Sequence, residues 1–347
     1  MTHALYTDGP RLLADIGGTN ARFALEQGPG AIDSVRTLPC AGHARFEDAV
    51  RAYLAAQGVA VRHAVIAIAN PVDGDLVKMT NHHWTFSIQA ARRELGLATL
   101  LVVNDFTALA MALPALGPLD VRPIGGGQPK PNAVLGLVGA GTGLGVSGLV
   151  PSGDRWIALQ SEGGHVAFAP GDEREVEVLR YCWQRYDHVS AERLVSGPGI
   201  ALIREALAAS RGIGADLSLS TAAIVERGLS NDDPLCREAI DCFSGMLGAV
   251  AADLAVTLGA QGGIYVGGGV VPRLGDYFAH SPFRARFEKK GRFSAFTASI
   301  PTMLITAPFP GLTGAAAILS GHMDDHAPPL PAPTALPSKG EHDHAHC

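Results

Sequence analysis

Apolar residues in this chain fall into short runs, which are separated by glycine-rich turns or by segments with helical spacing. Residues 11–25 place apolar runs on both sides of a Gly-Gly pair, which predicts a strand, a turn and a strand. Phe46–Gln57 repeats apolar side chains every three or four positions, as one face of a helix does. The next predicted elements are a strand, a helix capped by Ser87, a strand and a helix, at residues 63–69, 87–95, 99–103 and 106–113.

The second part of the chain repeats the strand–turn–strand pattern and adds longer helices. Residues 134–138 and 146–150 are predicted strands, preceded by a loop at 125–131 that suggests a domain junction. Further predictions are helices at 174–186, 200–209 and Pro234–Leu258, a strand at 264–266 and a short helix at 314–319. From residue 321 onward the chain is rich in Pro, Ala and His without periodicity, so we expect a disordered tail there.

The two strand–turn–strand units, residues 12–25 and 135–149, resemble each other, and each one opens an α/β segment. The pattern therefore predicts an α/β protein built from two halves. If the halves face each other, their glycine turns meet at one cleft.

Composition narrows the class of protein. The chain has 347 residues, of which 47% are hydrophobic and 17% charged, which excludes a disordered or fibrous protein. A net charge of −6 without basic clusters argues against binding nucleic acid or an anionic membrane. The 42 glycines lie in small groups between apolar runs, which indicates tight turns and close approach of the backbone to a ligand.

Targeting signals and cysteine spacing favour the cytoplasm. The first residues lack the basic and apolar regions of a signal peptide, and the five cysteines show no disulfide or C-x-x-C pattern. The longest uncharged stretch, residues 131–153, contains seven glycines and two prolines, so we interpret it as buried strands with turns rather than a membrane helix. We expect a cytoplasmic protein with no membrane partner.

The first candidate site is Asp15-Ile16-Gly17-Gly18-Thr19-Asn20. The glycines let main-chain N–H groups turn toward an anion, Thr19 adds a hydroxyl, and Asp15 suits a hydrated Mg²⁺ ion. A plain Gly-Gly hairpin turn is the alternative, and this motif alone does not decide between them.

The second candidate lies at residues 139–145. Residues 143–148 spell G-x-G-x-x-G, but the dinucleotide fingerprint must open a helix, and a strand-like segment follows here. We therefore expect a β-hairpin turn that presents N–H groups to a second phosphate. Neither turn is a Walker A loop, because no Gly-Lys-Ser/Thr follows.

Polar residues form three further candidates. Asn104-Asp105 follows a predicted strand and precedes a helix, where Asp105 would stay ionised and could accept a proton, although a simple N-cap is the alternative. Glu162 and His165 flank two glycines and could bind vicinal hydroxyls, and Glu192 adds a carboxylate or is a solvated first-turn acid. Residues 265–270 carry three glycines after a strand, which permit a flat ligand or form a structural turn.

Taken together and in order, these segments resemble the bacterial glucokinases, a branch of the sugar kinase–actin–heat-shock-chaperone superfamily. The matching segments span residues 12 to 317 and read LLADIGGTNARFAL, TNHHWTFS, LLVVNDFTALA, LGLVGAGTGLGVSGL, SEGGHVAFAP, VSAERLVSGPG, YVGGGVVPR and FPGLTGAAA. The resemblance implies an α/β, two-lobed actin-like ATPase (ribonuclease H-like) fold with nucleotide and sugar in the interlobe cleft. It also implies a small lobe of residues 1–115 and 308–321, a large lobe of 116–307 and a tail of 322–347.

The resemblance also implies site residues. The first phosphate loop is matched by Ala14, Asp15, Ile16, Gly17, Gly18 and Thr19, the second includes Gly141 and Thr142, and Gly267 and Gly268 would flank the adenosine. The glucose ligands are matched by Asn104, Asp105, Glu162, His165 and Glu192, with Asp105 as catalytic base. No residue is expected to bind the metal directly, although Asp15 could reach Mg²⁺ through water.

The implied activity is ATP- and Mg²⁺-dependent phosphorylation of D-glucose at the 6-hydroxyl, by a cytoplasmic homodimer that feeds glycolysis. A kinase for another hexose or an N-acetyl amino sugar is the alternative enzyme. A sugar-sensing regulator is disfavoured because too few residues precede residue 12 for a helix-turn-helix. An actin-like filament protein would not need the sugar-binding set. The related ROK family carries a structural zinc site with closely spaced cysteines, and the scattered cysteines here lead us to expect no zinc.

Overall fold

The computed structural model describes residues 4–80, 82–214 and 216–325. The strands of its first half are β1 (Arg11–Ile16), β2 (Asn20–Glu26), β3 (Ile32–Pro39), β4 (His63–Ile68), β5 (Leu76–Lys78), β6 (Thr85–Ser87) and β7 (Thr99–Asn104). They form a five-stranded sheet in the order β3-β2-β1-β4-β7 and a separate hairpin of β5 with β6. Its helices are α1 (Phe46–Gln57), α2 (Ile88–Glu94) and α3 (Asp105–Ala112).

The second half has a six-stranded sheet in the order β11-β10-β9-β12-β13-β8. Its strands are β8 (Val121–Pro123), β9 (Leu135–Ala140), β10 (Leu144–Ser152), β11 (Arg155–Leu159), β12 (Gly263–Gly267) and β13 (Thr302–Ile305). The remaining helices are α4 (Glu173–Trp183), α5 (Ala191–Leu194), α6 (Gly197–Ser210), α7 (Thr221–Leu229), α8 (Pro234–Leu258), α9 (Tyr277–His280), α10 (Phe283–Glu288), α11 (Ser294–Ser299) and α12 (Pro310–Asp325).

The two sheets share one topology, which confirms the internal repeat seen in the sequence. In the first, β1, β2 and β3 are antiparallel neighbours, and β4 and β7 then extend the sheet parallel to β1. In the second, β9, β10 and β11 are antiparallel, and β12 and β13 extend it parallel to β9. This duplicated arrangement confirms the expected actin-like, ribonuclease H-like fold class.

Alternation along β1 explains how both faces of the first sheet are covered. Successive strand residues point to opposite faces, so Leu12 packs in the cluster that contains α1, whereas Leu13 packs against α12. Helix α1 buries Phe46 and Tyr53 and ends at Gly58, whose φ of 66° provides a left-handed C-cap. Residues Phe46–Gln57 are thus helical over the predicted range.

Helices α3 and α12 lie between the two sheets. Helix α12 covers the first sheet through Leu312 and Leu319, while Ala110 of α3 packs with Leu137 of the second sheet. The two helices touch at Gly314, where a Cβ would come within 1.6 Å of the Ala108 carbonyl oxygen. Because α3 contacts both sheets, the lobe boundaries proposed at residues 115 and 308 stay a prediction.

Helix α8 is by length and composition able to cross a membrane, yet 67% of its apolar window is buried inside the molecule. It begins at Pro234 after Asp233, whose side chain accepts the Leu235 and Cys236 N–H groups, and it ends at Gly259 with φ of 62°. These caps account for the agreement with the predicted bounds. Its burial is that of a core helix.

The end of the described chain corrects the sequence-based expectation. Helix α12 continues to Asp325, so residues 321–325 are helical rather than part of a disordered tail. Met323 packs against the first-sheet cluster and Asp325 pairs with Arg155, which gives this last turn tertiary partners that no periodicity indicated. Residues 326–347, which hold the rest of the predicted tail, lie outside the described residues.

The close crossing of α3 and α12 leads to a stability prediction. Gly314→Ala should lower the free energy of unfolding by about 1–3 kcal/mol or more, because the added methyl group overlaps the Ala108 carbonyl. Gly321→Ala is the matched control in the same helix, since no atom lies within 4 Å of its added Cβ. That variant should gain roughly 0.5–1 kcal/mol from helix propensity. Equal urea-unfolding midpoints for the two variants would contradict the close contact between Gly314 of α12 and the Ala108 carbonyl of α3.

Candidate active site

Asn104 is the N-cap of α3. Its side-chain oxygen accepts the N–H groups of Phe106 at 2.9 Å and Thr107 at 3.2 Å, and its amide donates to the Asn70 carbonyl at 3.2 Å. The capping function considered for Asn104-Asp105 therefore belongs to Asn104. The Asp105 carboxylate is left available for chemistry.

Asp105 is a half-buried carboxylate in the first turn of α3. Its Oδ1 accepts the Phe106 N–H at 2.9 Å. Burial, followed by the negative charge of Asp15, raises the pKa of Asp105 from 3.8 to about 6, and Glu162 adds to the increase. The helix N-terminus was expected to keep this group ionised, and burial raises its pKa in spite of the hydrogen bond from the Phe106 N–H. A carboxylate with a pKa near 6 is largely ionised at neutral pH and can accept a proton.

The first glycine turn joins β1 to β2. Gly17 N–H donates to the Asn20 carbonyl at 3.0 Å, and Thr19 at the tip is exposed. Ala14 and Ile16 are buried in the core, so in these two residues only main-chain atoms are available to a ligand. Gly18 is partly exposed beside them. The geometry is a β-hairpin turn with an exposed hydroxyl. It is compatible both with a phosphate-binding turn and with a plain Gly-Gly hairpin turn.

Asp15 lies beside this turn and is restrained from two sides. Arg22 pairs with it at 3.2 Å from the facing position of β2, and a Cβ on Gly311 would lie 3.6 Å from Asp15 Oδ2. Burial raises the pKa of Asp15 and the Arg22 charge opposes this. Arg22 and Gly311 were missed from the sequence, although hairpin register places Arg22 opposite Asp15 and could have indicated the pair.

The second glycine turn is the hairpin between β9 and β10. Gly141 N–H donates to the Gly143 carbonyl at 2.8 Å, and Thr142 is exposed at the tip. Strand β10 follows directly, so the predicted hairpin is confirmed and the dinucleotide fingerprint is excluded. The turn is also fixed by Gly197, whose N–H donates to the Gly141 carbonyl at 2.8 Å.

The third glycine turn, after β12, touches the second. Gly268 has φ of 82°, and a Cβ there would come within 2.3 Å of the Ala140 carbonyl oxygen. Gly267 is buried at the end of β12, whereas Gly268 is exposed. Only a residue without a side chain allows this close approach, which brings Gly268 to the base of the second turn.

Glu162, His165 and Glu192 approach the same hairpin from its other side. Glu192 Oε2 accepts the Leu144 N–H at 2.9 Å, and a Cβ on Gly164 would lie 2.1 Å from the Leu144 carbonyl oxygen. Glu162 and His165 lie 4.0 Å apart with 65% and 60% of their side chains exposed. In the described part of the chain no hydrogen bond joins either one to Asp105, and Glu162 reaches Asp105 through its charge.

A cleft of about 170 Å³ opens next to Thr142 and Glu192. Tyr186 and Arg193 line it, with the Arg193 guanidinium 4.2 Å from the centre of the Tyr186 ring. Sequence analysis gave neither residue a role: Tyr186 lies outside the quoted motifs, and Arg193 lies in VSAERLVSGPG without a signal of its own. Within residues 4–80, 82–214 and 216–325, no three His, Cys, Asp or Glu side chains are grouped as a metal ion would require.

The chain is similar to known proteins over most of its length. The Glucokinase family model matches residues 12–322. The chain belongs to the glucokinase family. It is 54% identical over 332 residues to a glucokinase of Chromobacterium violaceum, covering 95% of this chain and 94% of that protein.

Two further similarities define the family relationship. A bifunctional protein of Burkholderia pseudomallei is 59% identical over 321 residues, which is 92% of this chain and 50% of that protein, so the chain spans about half the length of this relative. The crystal structure of a glucokinase from an Antarctic psychrotroph superposes with a TM-score of 0.83 at 36% identity, covering 91% of this chain and all of that one. The glucokinase-family fold is thus shared over nearly the whole described chain.

The raised pKa of Asp105 predicts that the parent and the Asp105→Asn variant differ in stability by an amount that depends on pH. The folded-state pKa lies above the unfolded value, so the carboxyl costs stability as pH rises from 3.8 to about 6 and the cost is complete above that window. Asp105→Asn removes the charge and should raise the free energy of unfolding by up to about 3 kcal/mol at neutral pH, with the gain vanishing at low pH.

Urea unfolding of parent and variant at about pH 4.5 and about pH 8 measures this difference. Asp154→Asn, at an exposed hairpin position, is the control and should change neither value. A gain that is independent of pH would show that the Asp105 charge is not responsible.

Proposed function

We propose that this chain transfers the γ-phosphoryl group of ATP to the 6-hydroxyl of D-glucose, giving glucose 6-phosphate and ADP. The observation that carries the proposal is Asp105, a half-buried carboxylate with a pKa of about 6, whose neighbour Phe106 lies against Gly139 and Gly145 beside the second glycine turn. Membership of the glucokinase family supports the same reaction.

Asp105 supplies the base. Its Oδ1 is held by the Phe106 N–H, and its carboxylate can take the proton of a sugar hydroxyl as the oxygen attacks phosphorus. Glu162, His165 and Glu192 bring polar atoms toward the same side, and one oxygen of Glu192 is already bound by Leu144 N–H. We assign hydroxyl recognition to these residues together with Asn104, whose amide is held in place by Asn70.

The glycine turns supply the phosphate side. Exposed Thr19 and Thr142 stand at the tips of the first two turns, and exposed Gly268 lies against Ala140 at the base of the second turn. Backbone N–H groups in such turns bind anions without a lysine.

The residues present fit a Mg²⁺ ion held mainly by nucleotide. Asp15 supplies a carboxylate, and its negative charge and that of Glu162 raise the pKa of Asp105, so a cation would relieve repulsion among three acids. Mg²⁺ in kinases is bound by one or two carboxylates together with waters and phosphates, so Asp15 alone is enough as the protein's carboxylate. When bound, the ion neutralises charge that develops on the phosphates.

A homodimeric, cytoplasmic enzyme is part of the proposal. The family resemblance supports the dimer, and the free buried thiols of Cys40, Cys182, Cys236 and Cys242 are compatible with a reducing compartment. Sedimentation velocity measures the oligomeric state.

Removal of the base gives the central prediction for activity. Asp105→Ala should lower kcat by about 10²–10⁴-fold, because the hydroxyl proton loses its acceptor, with a much smaller change in glucose affinity. In the parent, kcat/KM should fall below about pH 6 as Asp105 becomes protonated.

A coupled assay of ADP release with a panel of hexoses measures both effects and the sugar preference. Near-parental turnover of the Asp105→Ala variant would overturn the assigned role. Preference for another hexose or an N-acetyl amino sugar would retain the reaction type and change the substrate.

Asp15→Asn tests the proposed metal contact. The variant keeps the side-chain shape but loses the charge, so the Mg²⁺ concentration for half-maximal rate should rise roughly 10- to 100-fold. Asp154→Asn, which is exposed and outside the site, should leave it unchanged. An unaltered Mg²⁺ requirement in Asp15→Asn would remove Asp15 from metal binding.

A further inference from the structure

Phe106 occupies a slot formed by two glycines. Gly139 of β9 and Gly145 of β10 are direct partners across the hairpin. A Cβ on Gly139 would come within 2.6 Å of Phe106 Cζ, and one on Gly145 within 2.1 Å of Phe106 Cε2. The ring therefore lies against bare backbone at the base of the second glycine turn.

The main chain of Phe106 holds the base. Its N–H donates at 2.9 Å to Asp105 Oδ1 and at 2.9 Å to Asn104 Oδ1. One residue thus contacts the Asp105 carboxylate through its backbone and the β9–β10 hairpin through its side chain.

The next turn of α3 makes an equivalent contact. Leu109 lies on the same helix face as Phe106, three residues later. A Cβ on Gly267 would lie 3.1 Å from Leu109 Cδ2. The face of α3 is therefore fitted to both the second and the third glycine turns.

We propose that Phe106 is a positioning residue that fixes Asp105 relative to the second glycine turn, Gly141-Thr142. The ring in the Gly139–Gly145 slot sets the distance between the base and the phosphate-binding turn. The inference rests on the proposed kinase function, because only phosphoryl transfer requires these two groups in register. In enzymes, misplacement of a reacting group by about 1 Å costs on the order of 10²-fold in rate.

The charges around Asp105 are independent of this slot. Asp15 approaches from β1 with its partner Arg22, and Glu162 approaches from the segment after β11. The three atoms nearest to a Cβ on Gly145 all belong to the Phe106 ring. The side chain that a methyl group on Gly145 displaces first is therefore Phe106, next to Asp105.

Gly145→Ala is the decisive variant, because its methyl group displaces the ring from the slot. We expect kcat to fall at least ten-fold with KM for glucose changed less than three-fold. The hydrogen bond from the Phe106 N–H lowers the pKa of Asp105. If the displaced ring breaks this hydrogen bond, the pKa of Asp105 rises and the acid limb of kcat/KM should move to higher pH.

Gly148→Ala is the matched control in the same strand. Its Cβ would come within 2.6 Å of Leu258 Cδ1, the end of a flexible side chain, so it introduces similar crowding away from Asp105. Its kinetic constants should stay within two-fold of the parent. Phe106→Leu, which keeps the backbone and removes the ring, should lower kcat and provides the test if Gly145→Ala does not fold.

A titration without turnover separates this inference from the proposed function. Carboxyl ¹³C NMR, with the Asp105 signal assigned by its loss in Asp105→Asn, should show a higher titration midpoint in Gly145→Ala than in the parent or Gly148→Ala. A parent that phosphorylates no hexose would refute the proposed function and leave this measurement valid. Unchanged midpoint and kcat in folded Gly145→Ala and Phe106→Leu would overturn the role of Phe106.

Discussion

The structure depends on the close packing of helix α3 against bare backbone on several sides. Gly139 and Gly145 receive Phe106, Gly267 receives Leu109, and Gly314 of α12 meets the Ala108 carbonyl. A methyl group at three of these four glycines would overlap its neighbour by more than ordinary contacts permit. The helix that carries Asp105 can therefore lie between two sheets only because its neighbours lack side chains where they touch it. The glycine content of the chain serves this packing as much as it serves ligand contact.

That packing sets the chemistry of Asp105. A helix placed between two sheets carries its first residue out of water, and loss of hydration raises the pKa of the carboxyl to about 6. The same burial destabilises the folded state whenever Asp105 is ionised, so the residue proposed as the base lowers the stability of the fold at neutral pH. Asp15 and Glu162 add to this cost, and a bound cation would reduce it.

Much of the fold could be predicted from the sequence where the physical signal is local. Both hairpins, α1 and α8 follow from periodicity, and α2 also follows from its cap Ser87. Short elements such as β8, β13 and α9 instead exist through tertiary contacts that no local pattern encodes. For the site, polar motifs identified Asp105, Glu162 and Glu192. They could not reveal that Gly139 and Gly145 contact Phe106, because a glycine that faces a ligand and one that faces a side chain look identical in sequence.

The residues proposed to bind sugar and those proposed to bind phosphate meet at Leu144. Its N–H is bound by Glu192, its carbonyl lies against Gly164, and the turn that contains Thr142 immediately precedes it. A hydroxyl that engages Glu192 must therefore act on a carboxylate already bonded to the second glycine turn. Since Phe106 joins the other face of the same hairpin to Asp105, this hairpin connects the residues proposed for sugar recognition, phosphate binding and proton acceptance.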